Sequence, residues 1–250
     1  MQYVVRAERF LFIACRLVRV LNPLPISSDE NFSSAIPHLE RRFHHLATQS
    51  MQSFFIRRLH SLTGVLPIGA FLAEHFFTNS FAMFGPEVYN SKIEFFMGLP
   101  YILVIEVCLI WIPILFHGLY GLYVVYTGQV NSCRYNFFRN GMYLLQRLTG
   151  VVAFCFIVYH VYATRISGLL TGQHASFELV QQSLQNPLIL AFYILGIVSA
   201  SYHLGNGLFG FLITWGIAIG EKTQRAVSIL CALVSVGLAG FGLAALSFFI

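Results

Sequence analysis

Residues 150–163 read GVVAFCFIVYHVYA. Apolar and polar side chains do not alternate there, and that absence decides the fold class. A membrane β-barrel is built from segments of about ten residues with alternating character. A helix instead satisfies every backbone N–H and C=O within its own segment, as lipid demands. The quoted run lies inside a longer apolar stretch, 141–165, and four more stretches resemble it: 59–80, 99–127, 187–213 and 225–250. Each reaches the roughly 20 residues that cross a hydrocarbon core of about 30 Å as a helix. The expected fold is therefore an all-α membrane protein, a five-transmembrane-helix bundle occupying 53–250, with its termini on opposite sides. A composition 57% hydrophobic and 10% charged excludes an ordinary soluble domain.

The positive charge orients this bundle and does not point to nucleic acid. Of the fifteen Lys and Arg, only Lys92 and Arg165 fall on one side once the spans are drawn. The rest lie in the N-terminal region, in the 128–140 and 214–224 loops, or close to them. Basic residues concentrate on the cytoplasmic side, so the N-terminus is expected in the cytoplasm and the C-terminus outside, in a bacterial inner membrane. Cys15, Cys108, Cys133, Cys155 and Cys231 form no CxxC or CxxCH pattern. An iron–sulfur centre and a covalently attached haem are therefore not indicated.

Residues 1–52 mix Ser, Asp, Glu, Pro and Arg, and NPLPISSDENFSS reads as an irregular linker. The apolar segment FLFIAC is too short for a signal-peptide core and is followed by Arg16 and Arg19. This part is expected to be a poorly structured cytoplasmic extension.

Chemistry should be sought at ionisable residues within the spans, because they are costly in lipid. His75 lies about 26 Å along the first span from its basic entry, near the outer surface. Descending from Pro100, the second span carries His117 to the inner side. The third brings His160 to the outer side, and the fourth brings His203 to the inner side. Two pairs at two depths result, His75 with His160 and His117 with His203. Low-spin b haems need this arrangement, one imidazole on each face of the iron from facing helices.

Local sequences repeat around these histidines. RLHSLTGV precedes His75 and QRLTGV precedes His160, while His117 and His203 are each followed four residues later by Gly-Leu. At 100° per residue Gly64 shares a face with His75 and Thr149 with His160, so both are expected to make room for the inner haem. His60, with Ser61, Gln146 and Arg147 at similar depth, is a candidate partner for that haem's propionates. Glu106, eleven residues before His117, is expected to point into the bundle near the outer haem. A buried carboxyl there could exchange the protons that quinone reduction needs. Glu94 precedes the second span at the outer interface, where a quinone head group could dwell.

FFIRRLHSLTGVLPIGAFLAEH (54–75), IPILFHGLYGLYV (112–124), LLQRLTGV (144–151), VYHVYATR (158–165) and SYHLGNGLFGFLITWGI (201–217) carry a resemblance. The chain resembles the dihaem cytochrome b anchors of succinate dehydrogenase and fumarate reductase, in particular the Bacillus-type single-polypeptide subunit, from about Phe54 to the C-terminus. That likeness implies two haem b groups, with His75 and His160 on the distal iron and His117 and His203 on the proximal one. It further implies flavoprotein and iron–sulfur partner subunits and a quinone, menaquinone by the same likeness, as electron acceptor. Glu94 matches a glutamate near the quinol site of dihaem fumarate reductases, where the Bacillus-type protein has a histidine. Succinate oxidation would belong to the partner subunits. Two other readings stand beside it: the dihaem anchor of another respiratory complex, and a proton channel or transporter lined by His and Glu.

Overall fold

A computed structural model describes residues 53–128, 137–172 and 175–250 of the chain. The expected N-terminal extension, 1–52, lies outside the described residues. Helices and turns account for the described part, with no strand among those residues. Helix α1 runs over 53–80, with a π turn at Gly64–Ile68. A short 3₁₀ turn, Phe81–Phe84, leads into α2, Pro86–Met97. Next come α3, Ile102–Thr127, and α4, Phe138–Thr171, which carry π turns at Val107–Trp111 and Tyr162–Ile166. The short α5, Phe177–Leu184, precedes α6, Pro187–Thr214, and α7, Glu221–Ser247.

Four of these helices, α3, α4, α6 and α7, are long and apolar enough to cross a membrane. The chain is a multi-pass membrane protein. Helix α1 is as long, but Arg57, Arg58, His60, Glu74 and His75 make it more polar than the other four. Its place as a fifth span therefore does not follow from length and apolarity alone.

Residues 53–59, 127–128 and 137–144 belong to one unit, and 60–126 with 145–250 to another. In the first, the Arg58 guanidinium lies 4.9 Å from the centroid of the Phe54 ring. Every residue of the candidate site belongs to the second.

Local chemistry sets the ends of these helices. Asn186 caps α6 by accepting from the N–H of Leu188 at 2.9 Å, and Pro187 follows at the first helical position, where a missing N–H costs nothing. Ser176 caps α5 in the same way through the N–H of Leu179. Pro67 has no N–H to give and its ring would collide with the carbonyl four residues back. The π turn around it widens the ladder by one residue and absorbs the conflict.

Within the second unit α6 packs along α7, and α7 also lies against the second half of α1. Small residues bring α6 and α7 together: a Cβ on Gly205 would overlap the Ser235 hydroxyl and approach the Cys231 carbonyl to 2.7 Å. An aromatic core closes one end of the bundle, where Tyr89 of α2 and Phe177 of α5 meet Phe249, each ring centroid 5.0 Å from it. Burial pushes the Tyr89 hydroxyl up to about 12, so it stays protonated and donates to Asn79 at 3.4 Å. Large apolar side chains remain exposed on the outward faces, among them Leu66, Leu109, Leu119, Leu233 and Val236. A water-facing protein leaves few such patches, and lipid is the solvent that suits them.

Candidate functional site

The lower level is built from α1 and α3 on one side and α4 and α6 on the other. The Nδ1 of His117 lies 2.9 Å from the backbone carbonyl of His60. The Nδ1 of His203 lies 2.9 Å from the carbonyl of Gln146. A carbonyl accepts only, so both Nδ1 atoms carry the proton and both Nε2 atoms keep a lone pair. The His117 and His203 ring centroids are 6.1 Å apart with their planes at 88°.

These contacts repeat with regular spacing. Fifty-seven residues separate His60 from His117, and the same 57 separate Gln146 from His203. One constant offset carries His60 to Gln146, Gly64 to Gly150, His117 to His203, Tyr120 to Asn206 and Gly121 to Gly207. The surroundings correspond. His60 stacks on His117 at 4.1 Å and 5° and adjoins Tyr120, whereas Gln146 donates to the His203 carbonyl at 3.0 Å and accepts from Asn206 at 2.8 Å. The expected pair of similar helix hairpins is thus present in the contacts, as α1 with α3 and α4 with α6.

Gly150, next to Thr149, faces the opposing histidine, while the Thr149 hydroxyl reaches the Leu145 carbonyl at 2.7 Å and the Gln146 carbonyl at 3.2 Å. In α1 the π turn inserts one residue between Gly64 and His75, so those two do not share the face expected of them. Counting 100° per residue across it gives the wrong face. The constant offset would carry His75 to Val161, one position beyond His160, and the π turn accounts for that single residue.

At the upper level the His75 and His160 centroids are 5.5 Å apart, with planes at 79°. Side chains take the place of carbonyls here. The Tyr193 hydroxyl lies 3.2 Å from the Nδ1 of His160, and Asn79 donates to the His75 carbonyl at 2.8 Å beside the His75 ring.

Glu106 is buried and points inward, with Arg165 of α4 as its partner. The guanidinium reaches one carboxylate oxygen through Nη2 at 2.8 Å and Nε at 3.0 Å. Sequence reading assigned Arg165 only to the outer side; 59 residues separate the pair, and no local pattern announces it. Arg165 lines a cavity of about 110 Å³ with Ile93, Met97, Thr164, Gly168 and Ala175. Glu94 lies on α2, exposed, and is not part of that lining. Of the remaining candidates, Ser61 accepts from the Trp215 indole at 3.1 Å, and Arg147 is buried with Nη2 3.3 Å from the Val124 carbonyl. His60 keeps a buried Nε2 with no hydrogen-bond partner among the described residues.

The donor set fits a porphyrin iron. Among the described residues no three His, Cys, Asp or Glu gather as a metal cage would require. The histidines come in twos, which suits a group that brings four ligands of its own. Imidazoles about 2 Å from a shared metal through nitrogen place their centroids roughly 6 Å apart. The two observed separations lie close to that. Ligating histidines commonly donate their second ring nitrogen to a carbonyl, and His117 and His203 make that contact.

Comparison with known proteins agrees. The family model for the succinate dehydrogenase/fumarate reductase transmembrane subunit matches residues 135–241. Over 199 residues, covering 80% of this chain and 98% of the relative, the chain is 37% identical to the succinate dehydrogenase cytochrome b558 subunit of Bacillus subtilis (strain 168).

Proposed function

Because this chain belongs to the succinate dehydrogenase/fumarate reductase transmembrane subunit family, we propose that it holds two b haems, one at each histidine level, and passes electrons between them to a quinone. It is the membrane-anchor cytochrome b subunit of a succinate dehydrogenase. Succinate oxidation belongs to a flavoprotein subunit, and an iron–sulfur subunit delivers the electrons. Helix α1 is the fifth span, since it must stand beside α4 for His75 to oppose His160. The basic side of the bundle faces the cytoplasm and the partner subunits.

The observation that carries this reading is the pairing of four imidazoles at two levels, 6.1 and 5.5 Å between centroids. A bound haem supplies reversible one-electron chemistry at its iron. The chain's own residues do the rest. His117 and His203 would hold the proximal group and His75 and His160 the distal one, each pair drawn from facing helices. Arg147, which is buried, and His60, whose buried Nε2 has no hydrogen-bond partner among the described residues, would receive propionates, with Ser61 and Gln146 at similar depth. At the upper end the Arg165 guanidinium borders the cavity and can donate to a quinone carbonyl. Glu106 holds it there, and Glu94 stands at the surface as a proton source. Menaquinone is the quinone we assign.

The test is the haem content of the purified complex. Two haems per chain by pyridine haemochrome, with one lost in His117→Ala and the other in His75→Ala, support the reading. Unaltered haem in both variants rejects it.

A further inference from the structure

A residue in an α-helix covers the turn that precedes it, so the side chain at i+4 screens the carbonyl of residue i. At two places the screen is missing. Gly64 stands four residues after His60, and Gly150 four residues after Gln146. Those are the two carbonyls that meet the Nδ1 atoms of His117 and His203, each at 2.9 Å. A carbonyl has two lone pairs, so it can serve the helix ladder and an imidazole together once it is uncovered; the Thr63 and Thr149 hydroxyls, at 3.0 and 3.2 Å, share the same two oxygens at longer range.

There is no room for a methyl group at either glycine. A Cβ on Gly150 would lie 2.7 Å from Cε1 and 3.0 Å from Nδ1 of His203. On Gly64 it would overlap Cε1 of His117 and approach Nδ1 to 2.9 Å. Either ring could escape only by releasing the carbonyl. The opposite helices use the same device in return: Gly207 stands four residues after His203, whose carbonyl accepts from Gln146 at 3.0 Å. On Gly121 a Cβ would sit 3.3 Å from the His60 Nε2.

We propose that Gly64 and Gly150 are positioning residues for the lower haem: by uncovering the His60 and Gln146 carbonyls they fix Nδ1 as the protonated nitrogen of His117 and His203 and aim both Nε2 lone pairs into the gap between the rings. Among the described residues the upper level has no such pair of carbonyls, so the effect is confined to one haem. A carbonyl acceptor also raises the electron density of the ligating nitrogen, which favours the oxidised iron and lowers its potential. This inference rests on the haem reading above.

The experiment uses the intact membrane complex carrying Gly64→Ala, Gly150→Ala or Gly210→Ala. The last is a matched control, because a Cβ there meets nothing within 4 Å. Haem per complex and a redox titration of each haem are measured. In Gly64→Ala and Gly150→Ala the haem count should fall from two to one. Where the lower haem is retained, its midpoint alone should rise. Gly210→Ala should match the parent in both respects. Parental midpoints and full haem in both glycine variants would overturn the proposal, as would equal disturbance of the upper haem. If the variants do not accumulate, the parent complex decides: the oxidised lower haem should show an exchangeable, hydrogen-bonded Nδ1 proton on each axial imidazole by electron–nuclear double resonance, and its absence overturns the assignment. A parent complex without haem would instead sink the underlying reading.

Discussion

His203 and Gln146 hold each other twice: the His203 Nδ1 donates to the Gln146 carbonyl at 2.9 Å, and the Gln146 amide donates to the His203 carbonyl at 3.0 Å. Only the second of these bonds needs the glutamine side chain. Gln146→Ala should therefore keep the imidazole bond and lose both the return bond and the one accepted from Asn206, at about 0.5–1.5 kcal/mol each. A lowered thermal midpoint of haem loss with an unchanged haem count is the expected result. The first repeat carries His60 at the corresponding position, so Gln146→His and His60→Gln should each be milder than the alanine variants when followed by the same melting curve.

Tyr193→Phe removes the hydroxyl 3.2 Å from the His160 Nδ1 and leaves the ring packing in place. Only the upper haem should respond, with its midpoint moved and the lower one unmoved in a redox titration. Equal movement of both would mean the two levels are not independently tuned.

Deletion of Pro67 should be tolerated. The π turn holds one residue more than an α-helix needs, so its removal restores an ordinary helix and keeps His75 in phase with Gly64. Deletion of Val152, in the regular part of α4, should turn His160 by about 100° relative to Gly150 and cost the upper haem. Haem content of the two deletion variants separates these outcomes.

Glu106→Gln strips a half-buried guanidinium of its counter-charge, which should cost less than the roughly 3–5 kcal/mol of a fully buried pair. Replacing both partners, Glu106→Leu with Arg165→Leu, should lose less stability than Glu106→Gln alone, since no unpaired charge remains. Quinone reduction should be slow in both, with both haem spectra retained. Turnover at the parental rate in the double variant would remove Arg165 from the quinone site.

What could be read from the sequence depended on how each quantity tolerates one extra residue. Depth does so well. The π turns displace a histidine by little along the axis, and the levels of His75 with His160 and of His117 with His203 come from residue counts alone. Azimuth does not, because one inserted residue turns a side chain by about a quarter of the circle. That is why Gly64 was expected on the face of His75, although a π turn lies between them. The Arg165 partner of Glu106 was hidden for another reason, since packing unites residues 59 apart without any shared motif. Helix α1 was legible as a helix but is more polar than its neighbours, because it carries two histidines and a glutamate that serve or adjoin the site. The repeat was visible in LTGV and in the Gly-Leu pairs; its physical meaning needed the uncovered carbonyls.

Each histidine pair takes one member from either copy of the repeated hairpin, so a single copy could close neither grip. The arrangement has the form of a symmetric dimer written into one polypeptide, in which two identical two-helix chains facing each other would present the same imidazoles. Fusion frees the copies to diverge. Histidine beside one lower ligand and glutamine beside the other is a difference that a true homodimer could never hold.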